Sequence, residues 1–202
     1  INRYSSDGGR IGGALVRGDT IGTDISIVDT AFGPYVPVRQ DASLVLHEIT
    51  IAAWIKPFSD DDFYIVIKEG AYGMSVHEGS LESHLWFENQ QLKGPFRWKN
   101  YPSWSMQHET MRQGIWSWVA IKYERSSHTV SHYLNGKLMD YHTIGTGIIN
   151  LATSNQDIYF VKGLMNGLVD EVALFHRALK GVEMHLLFLR MKSITTSIKR
   201  NF

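Results

Sequence analysis

The chain has 202 residues, of which 44% are hydrophobic and 12% aromatic, with 20 basic and 20 acidic residues and no cysteine. That length buries one sizeable core, and an all-β chain of this size is usually a single domain. Balanced charge argues against general nucleic-acid binding, the lack of cysteine removes any disulfide framework or cysteine nucleophile, and no apolar run reaches the roughly 18 residues that membrane insertion needs.

Residues 1–33 are rich in Gly, Asp, Thr and Ser, with short β-prone pieces at 14–16 and 25–28. Residues 34–38 read as an edge strand with proline at its ends. Ile49 to Ile55 is the first strong strand, with Ile49, Ile51, Ala53 and Ile55 on one face and Trp54 on the other. Asp60, Asp61 and Asp62 make an acidic loop of the kind that solvent ordinarily satisfies. A meander is expected over 63–68, 72–77 and 83–88, with Gly70, Gly73 and Gly79 in its turns.

Residues 89–114 form a long loop holding Phe96, Arg97, Trp98, Lys99, Asn100, Tyr101, Trp104 and His108. So many rings in one loop either plug the sheet or form a binding platform. Strands follow at 116–123, 130–135 and 137–141. Asn135-Gly136 between two of them is the strongest hairpin signal in the chain, since both residues tolerate positive φ. After a strand at 156–162 comes the closing strand, Leu168 to Phe175. Strict alternation puts Leu168, Asp170, Val172 and Leu174 on one face and Val169, Glu171, Ala173 and Phe175 on the other. Asp170 then shares a face with apolar residues, where a carboxylate must be hydrogen-bonded, paired or metal-bound. This strand is expected near the centre of a sheet. A helical run over 181–191 carries Val182, Leu186 and Leu189 on one stripe, with Glu183 near its positive end. The four basic residues from Arg190 onward read as a solvated tail or linker, giving a domain at 1–189 and a tail at 190–202.

Five segments resemble, in order, the motifs of laminin-G-like, concanavalin A-like jelly-roll domains. They are Ile49-Thr-Ile-Ala-Ala-Trp-Ile-Lys-Pro57, Lys68-Glu-Gly-Ala-Tyr-Gly-Met-Ser75, Trp116-Ser-Trp-Val-Ala-Ile-Lys-Tyr123, Tyr133-Leu-Asn-Gly-Lys-Leu138 and Gly167-Leu-Val-Asp-Glu-Val-Ala-Leu-Phe-His-Arg-Ala-Leu179. The resemblance implies an all-β, two-sheet antiparallel β-sandwich (jelly roll) with a short C-terminal helix. It further implies a non-catalytic recognition module of an extracellular or surface protein, for carbohydrate, with protein–protein adhesion in a larger assembly as the alternative. The family's opening strand is not found, so the chain reads either as part of a larger polypeptide or assembly or as a domain in which that strand is supplied differently.

The residues themselves support binding over catalysis. Retaining and inverting glycosidases need two carboxyl groups about 5–9 Å apart, and no strand here carries alternate carboxylates in the Glu-x-Asp pattern. No Gly-x-Ser-x-Gly elbow or His-Glu-x-x-His pair occurs. Sugars pack their C–H faces on aromatic rings and bond their hydroxyls to polar side chains. Trp98, Tyr101 and Trp104, interleaved with Arg97 and Asn100, supply that mixture. The resemblance also implies a structural Ca2+, for which Asp170 is the candidate ligand and Asp29 its partner.

Overall fold

The computed structural model describes residues 15–16, 36–59, 62–88, 95–97, 111–145, 150–163 and 167–199. The pieces at 25–28, together with Asp29, Asp60, Asp61, Trp98, Asn100, Tyr101 and Trp104, lie outside the described residues.

Twelve strands are found among them. They are β1 (Leu15–Val16), β2 (Val36–Val38), β3 (Ile49–Pro57), β4 (Phe63–Lys68), β5 (Tyr72–His77), β6 (Ser80–Leu85), β7 (Phe96–Arg97), β8 (Ser117–Glu124), β9 (Thr129–Leu134), β10 (Lys137–Thr143), β11 (Ile158–Gly163) and β12 (Gly167–Phe175). The first sheet runs β1-β12-β3-β8-β9-β10 and the second β2-β11-β4-β5-β6-β7. All pairings are antiparallel except that of two-residue β1, which runs parallel to β12. The expected β-sandwich jelly roll with one C-terminal helix is therefore the fold.

Alternation explains most of the core. On β3, Ile49, Ile51, Ala53 and Ile55 enter the space between the sheets, where they meet Val119 and Ile121 of β8, Val130 and Leu134 of β9, and Phe63, Met74, Leu81 and Leu85 of the second sheet. Polar exceptions occur among the buried residues. Ser83 Oγ of β6 lies 3.0 Å from His132 Nε2 of β9, so a hydrogen bond ties one sheet to the other. Another buried exception is Lys68, whose Nζ donates to Gln40 Oε1 and the Gln156 carbonyl. Burial pushes its pKa down, and Asp157, which accepts from the Gln40 amide, opposes that shift.

Four expectations need correction. First, β6 starts at Ser80, because Glu78 and Gly79 both take positive φ (47° and 70°) and make a two-residue turn that pairs His77 with Ser80. Second, Gly73 lies within β5, not in a turn, and Ile67 covers it: a Cβ there would lie 2.5 Å from Ile67 Cδ1. Third, β12 is second from the edge of its sheet, and β3 and β8 are central. It also does not alternate throughout. Its register against β3 slips between Asp170 and Ala173, and Glu171 sits at φ 50°. This β-bulge moves the apolar phase by one residue. Val169, Val172 and Leu174 face the sandwich core. Asp170 pairs in register with Trp54, on the opposite face of the sheet.

Fourth, the helix α1 runs Gly181–Lys199, beyond the end expected at residue 191. It covers the outer face of the first sheet with Met184, Leu187, Phe188 and Met191, against Ala52, Trp54, Trp118, Ala120 and Tyr133. Val182, Leu186 and Leu189 point outward, at 73%, 58% and 46% exposure. Both stripes are apolar, and the rotation is set by the connection. Thr50 Oγ1 donates to the Arg177 carbonyl (2.9 Å) and accepts from the Leu179 amide (3.0 Å). That staple seats Leu179 against the sheet before the first turn. Glu183 then accepts two hydrogen bonds from Arg177 (2.7 and 2.8 Å) and one from the Lys180 amide (2.7 Å), and these contacts bring its pKa down to about 2. An anionic group in a helix's first turn is favoured by the helix dipole.

Candidate functional site: the outer face of the second sheet

Alternation assigns the outer face of the second sheet as firmly as its core. Met74, Val76, Leu81 and Leu85 point inward, so Ser75, Glu82 and His84 point outward. The cross-strand partners continue these rows. Lys162 of β11 is opposite Tyr64, Tyr64 is opposite Ser75, Ser75 is opposite Glu82, and Glu82 is opposite Arg97. Of the residues singled out in the sequence for ligand binding, Arg97 alone is described. It lies on the edge strand β7, so the segment with Trp98, Asn100, Tyr101 and Trp104 departs from the edge of this face.

The face carries a cluster of rings that sequence reading missed. The Tyr64 and His84 ring centroids are 5.1 Å apart, and His84 and Trp86 are 6.3 Å apart with planes 24° from parallel. Tyr64 and His84 sit on strands β4 and β6, two apart in the sheet. They meet over the small Ser75 of β5, which lies opposite Tyr64 in the strand between them. From the strand side, His84 Nε2 is 2.7 Å from Ser75 Oγ and 3.6 Å from a Glu82 carboxylate oxygen. Ser75 and Glu82 are themselves buried, at 5% and 4% exposure.

A serine, a histidine and a glutamate in line invite comparison with a catalytic triad. A triad uses both ring nitrogens, one toward the hydroxyl and one toward the carboxylate. Here both contacts fall on Nε2, so the arrangement fixes the ring and does not relay a proton. Burial lowers the pKa of His84; Glu82 works against that shift and His77 adds to it. The folded state thus prefers neutral His84 more than the unfolded chain does. Its contribution to stability is full above the ordinary histidine value of 6.5 and is lost as pH falls from there toward the lowered folded value. The urea midpoint of the protein is expected to drop between about pH 7.5 and about pH 5.5, and His84→Gln is expected to make the drop smaller. An equal drop in both proteins would show that other groups carry it.

The other site residues lie elsewhere. Asp170 is half-buried at the β12 bulge, and its Oδ1 accepts from the Glu171 amide (3.0 Å). Calcium takes six to eight oxygens, and no group of three His, Asp or Glu side chains suited to a metal occurs among the described residues. In the acidic loop, Asp62 is structural. Its carboxylate accepts from the Glu78 amide (3.0 Å) and lies 2.5 Å from His77 Nδ1.

Residues 29–184 match the family model of the concanavalin A-like lectin/glucanases superfamily, and the chain belongs to that family. Among solved structures it resembles the binding domain of Paraclostridial Mosquitocidal Protein 1, with 17% identity, 93% of this chain and 50% of that one covered, and a TM-score of 0.60. It also resembles the receptor binding domain of botulinum neurotoxin C/D mosaic serotype, at 15% identity, 85% and 46% coverage and a TM-score of 0.59. A third is botulinum neurotoxin type C, whose cell entry is dependent upon interaction with two ganglioside molecules, at 15% identity, 83% and 45% coverage and a TM-score of 0.58. The chain spans about half the length of these structures. At such identities the likeness is one of fold. No curated protein sequence matches the chain.

Proposed function

We propose that the protein is a non-catalytic recognition module for carbohydrate, acting outside the cell or at its surface, where glycans are displayed. The observation that carries this reading is the register of β7. It starts the segment bearing Trp98, Asn100, Tyr101 and Trp104 at the edge of a sheet face that already holds Tyr64, His84 and Trp86. Membership of a superfamily whose description names lectins, together with glucanases, supports the carbohydrate part of it, as does the ganglioside dependence of one fold neighbour. A glycan array tests it: at least one glycan is expected to bind, with Trp98→Ala and Trp104→Ala weakening that binding, and no sugar is expected to be released from polysaccharide. An array without any bound glycan would sink the reading.

The outward stripe of Val182, Leu186 and Leu189 favours a second reading, protein–protein adhesion within a larger assembly. Apolar side chains are enriched in the cores of such contacts. Under it, a protein partner is retained by Trp98→Ala and lost by Leu186→Glu.

The calcium reading is also a proposal: Asp170 and Asp29 would hold the ion between β12 and the N-terminal stretch. Chelator is then expected to lower the melting temperature, and Asp170→Asn to abolish that response. A melt that chelator leaves unchanged would end it.

A further inference from the structure

The rings on the second sheet have a chemistry more specific than that of a general glycan module. Tyr64, His84 and Trp86 touch in a row, each keeping part of its surface in solvent. The central ring is held from the strand side by Ser75 and Glu82, both buried. A ring so held cannot swing aside, and preorganised contacts bind without an ordering cost. Flat rings of this kind accept the C–H face of a pyranose.

The charges around them decide what kind of sugar fits. On this face Lys162 pairs with Glu69 at 2.5 Å, and it also lies 4.8 Å from the Tyr159 ring centroid. His77 pairs with Asp62 at 2.5 Å, and Glu82 lies beside His84. Among the described side chains here, the carboxylates of Glu69, Asp62 and Glu82 outnumber the one ammonium, Lys162, a balance that disfavours a sialic acid or a sulfate.

We infer that Tyr64, His84 and Trp86 form a binding platform for an uncharged pyranose, with Ser75 and Glu82 positioning its central ring. The inference rests on the carbohydrate reading above but names other residues and a ligand class.

The test uses the whole chain on an array of maltohexaose, cellohexaose, chitohexaose and sialyllactose, with titration calorimetry on any hit. A neutral oligosaccharide is expected to bind and sialyllactose is not. Tyr64→Ala and Trp86→Ala are each expected to weaken binding about tenfold or more, with Tyr64→Phe close to wild type, since the ring and not the hydroxyl makes the contact. Each variant's melt reports whether it folds, and Tyr64→Phe keeps the test decisive if an alanine variant does not. Binding lost in Trp98→Ala or Trp104→Ala but unchanged in Tyr64→Ala and Trp86→Ala would overturn the platform and leave the module reading standing. Binding of sialyllactose alone would overturn the ligand class. Binding of no sugar by any form of the chain would overturn both.

Discussion

Replacing Trp118 with alanine is expected to lower stability by about 3–5 kcal/mol, the range for large aromatic truncations in a core. Trp118 is fully buried at the centre of the contact between the first sheet and α1. Its indole N–H reaches Met191 Sδ at 3.1 Å, and its ring centroid is 5.7 Å from that of Phe188. The same Phe188 is 6.0 Å from Trp54. Truncation leaves a void that helix and sheet fill only by moving together, and a helix detached from its sheet has little stability of its own. Urea unfolding followed by circular dichroism should show the lowered midpoint together with early loss of helix signal. Leu186→Ala, on the outward stripe of the same helix, is expected to change stability by no more than about 0.5 kcal/mol. Equal effects at the two positions would mean that the helix is not seated as described.

Gly136→Ala is expected to cost about 2–5 kcal/mol for two separable reasons. Gly136 has φ 80°, which costs a residue with a Cβ about 1–2 kcal/mol. That Cβ would also lie 2.7 Å from Phe188 Cδ1 and 3.0 Å from Cγ. Phe188 is wedged against both tryptophans, so overpacking adds about 1–3 kcal/mol. Gly114 separates the two effects. Its φ is 72°, but nothing lies within 4 Å of its would-be Cβ. Gly114→Ala should therefore show the conformational cost alone. If it proves as damaging as Gly136→Ala in thermal melts, the Phe188 contact contributes nothing.

The contrast between these glycines also shows what a sequence exposes and what it conceals. Asn135-Gly136 announced a hairpin, and the two strands it joins are where expected, because turn chemistry is local. The bounds of β4 and β5 and the inward set on β3 were legible for the same reason, being written in alternation alone. The bulge at Glu171 was not. A glutamate takes left-handed backbone there only because β3 fixes the pairing on both sides of it, and that constraint comes from a strand more than a hundred residues upstream. Alternation carried past this point put Asp170 with Val172 and Leu174, when it belongs with Trp54.

The helix was ambiguous for a different reason. Apolar residues fall on opposite sides of it, and only the Thr50 staple decides which side meets the sheet. The ring cluster was hidden by dispersal. Tyr64, His84 and Trp86 look unremarkable in their own segments, and it takes the small Ser75 of β5 to bring Tyr64 and His84 together. A cue was present in that serine, which leaves a gap on one face that larger neighbours can close over. Of the residues expected to bind ligand, Trp98, Asn100, Tyr101 and Trp104 lie outside the described residues, and the structure gives only the backbone register of Arg97.

The pairing of β3 with β12 has a consequence for how the protein is made. β3 leaves the ribosome early, yet the strand that covers one of its long edges and the groups that satisfy Thr50 are translated more than a hundred residues later. In the interval a nascent chain presents an open, strongly apolar strand edge, a template for pairing with the wrong neighbour. Production in cells should accordingly depend on a chaperone that shields this edge until translation has passed Leu179.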